Sequence, residues 1–259
     1  MKKILNSWTF AIILFLLVIN FVIQSFVIPS GSMKNTLLIG DNLIASKYPF
    51  GLSSPYIPFV EIPLMPFYDK KIIKGREPKR GEIIIFRYPK NPRKHYVKRC
   101  VALPGDYIFL KDKNLYVSMK EGEKYMKTNY PESKIISYDN KIWVENPYYF
   151  EHKGINHDKK ITKEDLKYPR QLFEFPITKI ENNKYFMMGD NREHSKDSRF
   201  FGQVEYKYLE GIPLFTTISV KNLLKMEFRT DRFFKTTKEL ESGGILKKAI
   251  KERQKEEKN

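Results

Sequence analysis

A mostly β, antiparallel domain with an inserted smaller lobe, preceded by one N-terminal transmembrane helix, is the fold this sequence predicts. Three observations carry it. After Lys2 and Lys3 the chain has an uncharged apolar run, continues in short Val, Ile, Tyr and Phe-rich segments between turn residues, and has a polar middle rich in Lys, Tyr and Asn. β-Branched and aromatic residues bounded by Gly, Pro, Asn and Asp suit pleated, half-buried strands. At 259 residues, 41% of them hydrophobic, the chain is too apolar for wholesale disorder and too long for a disulfide-stapled miniprotein.

The elements follow in order. No charged residue occurs from Ile4 through Met33, and Trp8 to Val27 is almost wholly apolar. About twenty residues at a rise of about 1.5 Å cover roughly 30 Å, the hydrocarbon thickness of a bilayer, so residues 1–28 are expected to hold a short N-terminus and a spanning helix. A cleavable signal peptide is the rival reading, since Lys2 and Lys3 start the chain. Against it, the run exceeds the about 7–15 apolar residues usual there, and no A-x-A-like site closes it. The same lysines favour a cytoplasmic N-terminus, with everything after residue 28 on the outer side.

Strands are predicted at Leu43 to Ala45, at Glu82 to Tyr88 after Arg80-Gly81, and at Tyr96 to Leu103 before Pro104-Gly105-Asp106. Others are expected at Tyr107 to Leu110 and at Tyr185 to Met188, which runs into Gly189-Asp190-Asn191. Residues 29–110 and 184–222 are therefore assigned to one domain. Residues 111–183, broken by Pro131, Pro147, Pro169 and Pro176, form the inserted lobe, being too long for a structureless loop. The tail, 223–259, is charge-dense, with only Ile245, Leu246, Ala249 and Ile250 as an apolar stripe. A frayed helix or disorder is expected there, without a functional role.

Composition narrows the chemistry. The single Cys100 excludes an internal disulfide, and His95, His152, His157 and His194 include no H-E-x-x-H pair, so no metal and no cofactor is expected. A formal net charge of +17 suits an anionic lipid surface or nucleic acid. For nucleic acid, the basic aromatic stretch from Arg87 to Tyr96 would be the contact.

Three stretches could carry a reaction. In Ser30-Gly31-Ser32 two hydroxyls flank a glycine, so a nucleophile could be presented with backbone N–H groups beside it, although such tripeptides are commonly plain turns. On the strand from Tyr96, residues Tyr96, Lys98 and Cys100 share a face. A lysine among apolar neighbours loses basicity and becomes a usable base, whereas an edge-strand lysine keeps its charge in water. The third stretch, Gly189 to Gly202, reads GDNREHSKDSRFFG. It is either a solvated loop or part of a site; a Ser-His-Asp triad from His194 and Asp197 is disfavoured because triad members come from separate elements.

Together these stretches resemble bacterial type I signal peptidase, a family of membrane-anchored serine proteases with a Ser/Lys dyad. The matches are Phe26-Val-Ile-Pro-Ser-Gly-Ser-Met33, Thr36-Leu-Leu-Ile-Gly-Asp41, Arg80-Gly-Glu-Ile-Ile-Ile-Phe86, and Tyr96-Val-Lys-Arg99 through Leu103-Pro-Gly-Asp106. They end with Gly189-Asp-Asn-Arg192, Ser195, Asp197-Ser-Arg199 and Gly202. Glu82, His95 and Glu193-His194 depart from the family pattern.

The resemblance implies Ser32 as nucleophile and Lys98 as general base, with the Ser32 N–H and Ser30 hydroxyl as oxyanion donors. Ser195 would orient the Lys98 amine, and Asp197 with Arg199 would brace its loop. Ile28, Met33, Leu37 and Tyr96 would line the first substrate pocket, and Phe26, Ile28 and Val97 the second. Implied substrates are signal-peptide-bearing preproteins cut after small residues of the Ala-x-Ala type, with membrane lipids as a further partner and no nucleic acid. The location implied is the cytoplasmic membrane, single-pass, with the catalytic domain outside. Two other readings are a membrane-tethered nucleic-acid-binding or scaffold protein and a self-cleaving regulator of the related Ser/Lys type.

Overall fold

The computed structural model describes residues 8–53, 56–57, 62–63 and 71–256. Helix α1 spans Trp8–Phe21. Strands β1 (Ile23–Val27), β2 (Asp41–Ser46), β3 (Gly51–Ser53), β4 (Tyr56–Ile57), β5 (Ile62–Pro63), β6 (Lys71–Lys74), β7 (Ile83–Tyr88) and β8 (Asn91–Ala102) follow. Next come β9 (Tyr107–Lys111), β10 (Asn114–Ser118), helix α2 (Glu123–Asn129), β11 (Ile135–Tyr138), β12 (Lys141–Glu145), β13 (Phe175–Lys179) and β14 (Lys184–Met188). The chain closes with α3 (Ser198–Phe201), β15 (Val204–Glu205), β16 (Leu209–Asn222), β17 (Glu227–Phe228), α4 (Thr237–Leu240) and α5 (Gly243–Glu256).

The main sheet runs β1-β2-β16-β7-β8-β14-β15, with β17 beside β16, and every pairing is antiparallel. A second antiparallel sheet, β11-β12-β10-β9-β13, forms the smaller lobe. The mostly β, antiparallel expectation agrees with this architecture. The alternation of β2, buried at Asp41, Leu43 and Ala45 and half-exposed between, is what one packed face dictates.

Three expectations stand apart from the structure, and the first of them, the spanning helix, is left unconfirmed by it. Among the described residues no helix is long and apolar enough to cross a membrane. Within the described residues helix α1 has 14 residues, roughly 21 Å, and past its C-terminal end Ile23–Val27 leaves the helical path and pairs with β2, Phe26 opposite Leu43. Lys2 and Lys3 lie outside the described residues.

The lobe, second, begins earlier than residue 111. Asp106 turns the chain at Leu103-Pro104-Gly105, accepting from Leu103 N and Lys120 N and pairing with Arg80, and β9 already belongs to the second sheet. The two sheets share one core, in which Val101, Ala102, Phe186 and Met188 meet Ile108, Leu115, Val117 and Val144.

The tail, third, is folded against the main body. Arg232 is buried and donates to Asp41 Oδ1 (3.0 Å) and Oδ2 (2.6 Å). Leu240, Leu246 and Ala249 are buried as well. A narrow apolar stripe suffices here because the tail has a surface to pack on, which sequence periodicity does not reveal.

Candidate active site

The turn between β1 and β2 presents Ser32. A single 3₁₀ turn, Gly31–Met33, is closed by Lys34 N donating to Gly31 O (3.1 Å) and followed by Leu37 N donating to Met33 O (2.8 Å). Its other side is held by the Gly189–Asn191 loop: Asn191 N donates to Ser32 O (3.1 Å) and Asn191 Nδ2 to Gly31 O (2.9 Å). Lys98 arrives from β8, paired with Ile84 of β7. Its Nζ lies 2.6 Å from Ser32 Oγ and 2.9 Å from Val97 O.

Only 4% of Lys98 is exposed. Burial lowers its amine to about 8, with Asp197 and Asp190 pulling back upward. An amine so placed becomes half neutral near pH 8, well below the ordinary lysine value, and in that form can take a proton from the oxygen it touches. Ser30 Oγ stands 3.5 Å from Ser32 Oγ and is exposed.

Asp197 and Arg199 form a buried two-point pair, Nε to Oδ1 and Nη2 to Oδ2 both at 2.8 Å, and Gly189 N donates to Asp197 Oδ2 at 3.0 Å. Burial pushes the Asp197 carboxyl up, but Arg199 and that N–H outweigh it and hold it below the usual range. Ser195 does not bond Lys98. Its buried hydroxyl packs against Gly189 and faces the Asp197 carboxylate, while Ser32 Oγ and Val97 O occupy the amine.

A cleft of about 460 Å³ opens over the pair, lined by Phe26, Ile28, Met33, Tyr96 and Val97 beside Ser30, Ser32 and Lys98. Leu37 is absent from that lining. The turn from Met33 folds it inward, fully buried with Met33, Leu43 and Leu240.

A comparison with family models matches residues 1–217 to the one described as signal peptidase, peptidase S26. The chain belongs to this family. It is similar to signal peptidase I of Helicobacter pylori strain 26695, 35% identical with 94% of each chain covered. It is also similar to signal peptidase I of Pseudomonas fluorescens, 35% identical over 70% of this chain and 56% of that one, and of Rickettsia felis, 31% identical over 76% and 72%. The crystal structure of a signal peptidase I from Enterococcus faecalis V583 is 24% identical with a TM-score of 0.33, covering 53% of this chain and 97% of that one.

Several residues at this S26 peptidase site had been assigned no role in it from the sequence. Lys94, His95, His194 and Lys196 also line the cleft, giving it a basic rim. Asp190 is fully buried; Arg99 donates to it through Nε (2.8 Å) and Nη2 (2.6 Å), and Thr36 Oγ1 at 2.6 Å. Burial pushes the Asp190 carboxyl up, and Arg99 and Thr36 more than reverse this. The Gly-Asp-Asn spelling marked the loop, but nothing in it marked the aspartate as the partner of Arg99.

Gly189 is required by close approach. A Cβ there would lie 2.5 Å from Ser32 O and 2.2 Å from Ser195 Oγ, so the nucleophile's turn would have to move. Since a misplacement of about 1 Å costs about 100-fold in rate, Gly189→Ala is expected to lower kcat by about that factor in a folded protein. Kinetics with a melting curve check this; an unchanged kcat would contradict the packing described.

Proposed function

We propose that this S26 peptidase is a membrane-bound serine endopeptidase that removes N-terminal signal peptides from exported preproteins through a Ser32/Lys98 dyad. The observation that carries the reading is the 2.6 Å approach of a buried amine to the Ser32 hydroxyl at the floor of an open cleft. Ser32 Oγ attacks the scissile carbonyl carbon as neutral Lys98 takes its proton. The tetrahedral oxyanion forms beside the Ser32 N–H and the Ser30 hydroxyl, one such donor being worth about 3–4 kcal/mol. The Lys98 ammonium then protonates the leaving amine. A water, giving its proton to Lys98, opens the acyl-enzyme and the proton returns to Ser32 Oγ.

Strand geometry supports an extended substrate. β8 pairs with β7 over most of its length but with β14 only from Arg99 to Ala102, so the Asn91 to Lys98 edge is open beside the cleft. A peptide can add there as a strand, with its last side chain pointing at Ile28, Met33 and Tyr96. Those apolar walls leave room for a small residue before the cut, as Ala-x-Ala sites require. The apolar N-terminal run and the +17 charge support tethering at the cytoplasmic membrane with the site on its outer side, where an anionic surface attracts basic residues.

Incubating the purified chain in detergent with an exported precursor tests the reading. The new N-terminus should follow a small residue, and Ser32→Ala should release nothing. The same product from the Ser32→Ala protein would contradict the proposal.

The acidity of Lys98 sets a pH dependence. Below about 8 the amine carries its proton and cannot act as base, so kcat/KM is expected to fall as pH drops through that value. Because the folded pKa lies below the unfolded one of about 10.4, the unfolded chain binds more protons between the two, and stability from this group rises with pH across that window by about 3 kcal/mol. A rate that stays flat from pH 9 to pH 6 would contradict a lysine base.

A further inference from the structure

The C-terminal segment reaches the Ser32 and Lys98 neighbourhood from behind. Helix α4 opens with a capping box in which Glu239 N donates to Thr236 Oγ1 and Thr236 N donates to the Glu239 carboxylate, which fixes the orientation of the residues that follow. Leu240 is fully buried with Met33, Leu37 and Ile83, beside the turn that carries Ser32. Glu241 is buried next to it, and its carboxylate is fully engaged. Oε1 accepts from Arg99 Nη2 and lies 3.3 Å from Thr36 Oγ1, whose proton goes to Asp190, and Oε2 lies 2.8 Å from His152 Nδ1.

Arg99 adjoins Lys98 in the chain, and its guanidinium is shared between Asp190 and Glu241. The trio therefore carries one net negative charge behind the amine. Burying a carboxylate is costly unless it is paired. Leu240, Leu246 and Ala249 already fasten the segment, so packing alone does not call for a charge at 241.

We propose that Glu241 is a positioning residue for the Ser32–Lys98 pair, acting through Arg99: by sharing the guanidinium it keeps Asp190 from being wholly neutralised and so leaves part of that charge directed at the amine. The inference rests on the Ser/Lys reading above. The carboxylates acting on Lys98 are Asp190 and Asp197, the second already paired with Arg199, and Lys94, His95, His194 and Lys196 share its cleft. Those facing Glu241 are Arg99 and His152, and Arg192 acts on Asp190. With Glu241 neutral, Arg99 pairs with Asp190 alone, the charge behind the amine falls to zero, and Lys98 gives up its proton at lower pH.

The test is the pH profile of kcat/KM for precursor cleavage by the full chain, by Glu241→Gln and by Glu241→Asp, with melting temperatures taken alongside. Glu241→Gln keeps the shape and removes the charge, so the acid limb is expected to move down by about half a unit, while Glu241→Asp keeps the limb where the parent has it. A loosened tail would do the opposite, letting water reach Lys98 and moving the limb up. An upward shift, an unmoved limb, equal shifts in both variants, or a Glu241→Gln chain that does not fold would each overturn the proposal and leave Glu241 a fastener of the tail. Cleavage by Ser32→Ala would instead overturn the Ser/Lys reading itself, and is run in parallel so that the two failures are told apart.

Discussion

Ser32→Ala and Lys98→Ala are each expected to reduce kcat/KM for precursor cleavage by about 10⁴-fold or more, and the double variant by scarcely more than either alone. Groups that act as one unit lose their contribution together when either is removed, and what survives is binding and oxyanion stabilisation. The geometry behind this is local. With Lys98 truncated, Ser32 Oγ keeps only the Ser30 hydroxyl at 3.5 Å, which is no base. With Ser32 truncated, the amine keeps Val97 O at 2.9 Å and has nothing to deprotonate. Single-turnover assays on purified variants measure this, and a loss below tenfold in either would exclude the pair as nucleophile and base.

Arg99→Met is expected to cost about 3–5 kcal/mol of stability, because Asp190 and Glu241 stay buried after their shared guanidinium is gone. At roughly 2–4 °C per kcal/mol for a chain of this size, the melting temperature should fall by about 6–20 °C. The two unpaired carboxylates would also raise the Lys98 pKa, moving the acid limb of activity upward, opposite to the shift expected for Glu241→Gln. Thermal unfolding with a pH profile reads both effects. A variant as stable as its parent would mean that the network contributes nothing to the fold.

The legible parts were those in which local spelling and local structure coincide. Ser30-Gly31-Ser32 is a short turn, and strand geometry sets Tyr96, Lys98 and Cys100 of β8 on one face once the strand is recognised. The Ile23–Val27 segment was harder, since an apolar run satisfies a helix and a strand equally until a partner is known; β2 supplied the partner. Leu37 was placed in the pocket by the family resemblance, but the Met33–Leu37 turn points it into the core. Glu241 was beyond reach, because its meaning lies in a contact with Arg99 across 142 positions of chain.

The most direct measurement is the titration of the Lys98 amine itself, followed by NMR in protein labelled at lysine and assigned by comparison with a Lys98→Met chain. A midpoint near 8 is predicted, from a dry amine held against Ser32 Oγ with two carboxylates nearby. A midpoint at or above about 10, the ordinary value for a lysine in water, would contradict the account.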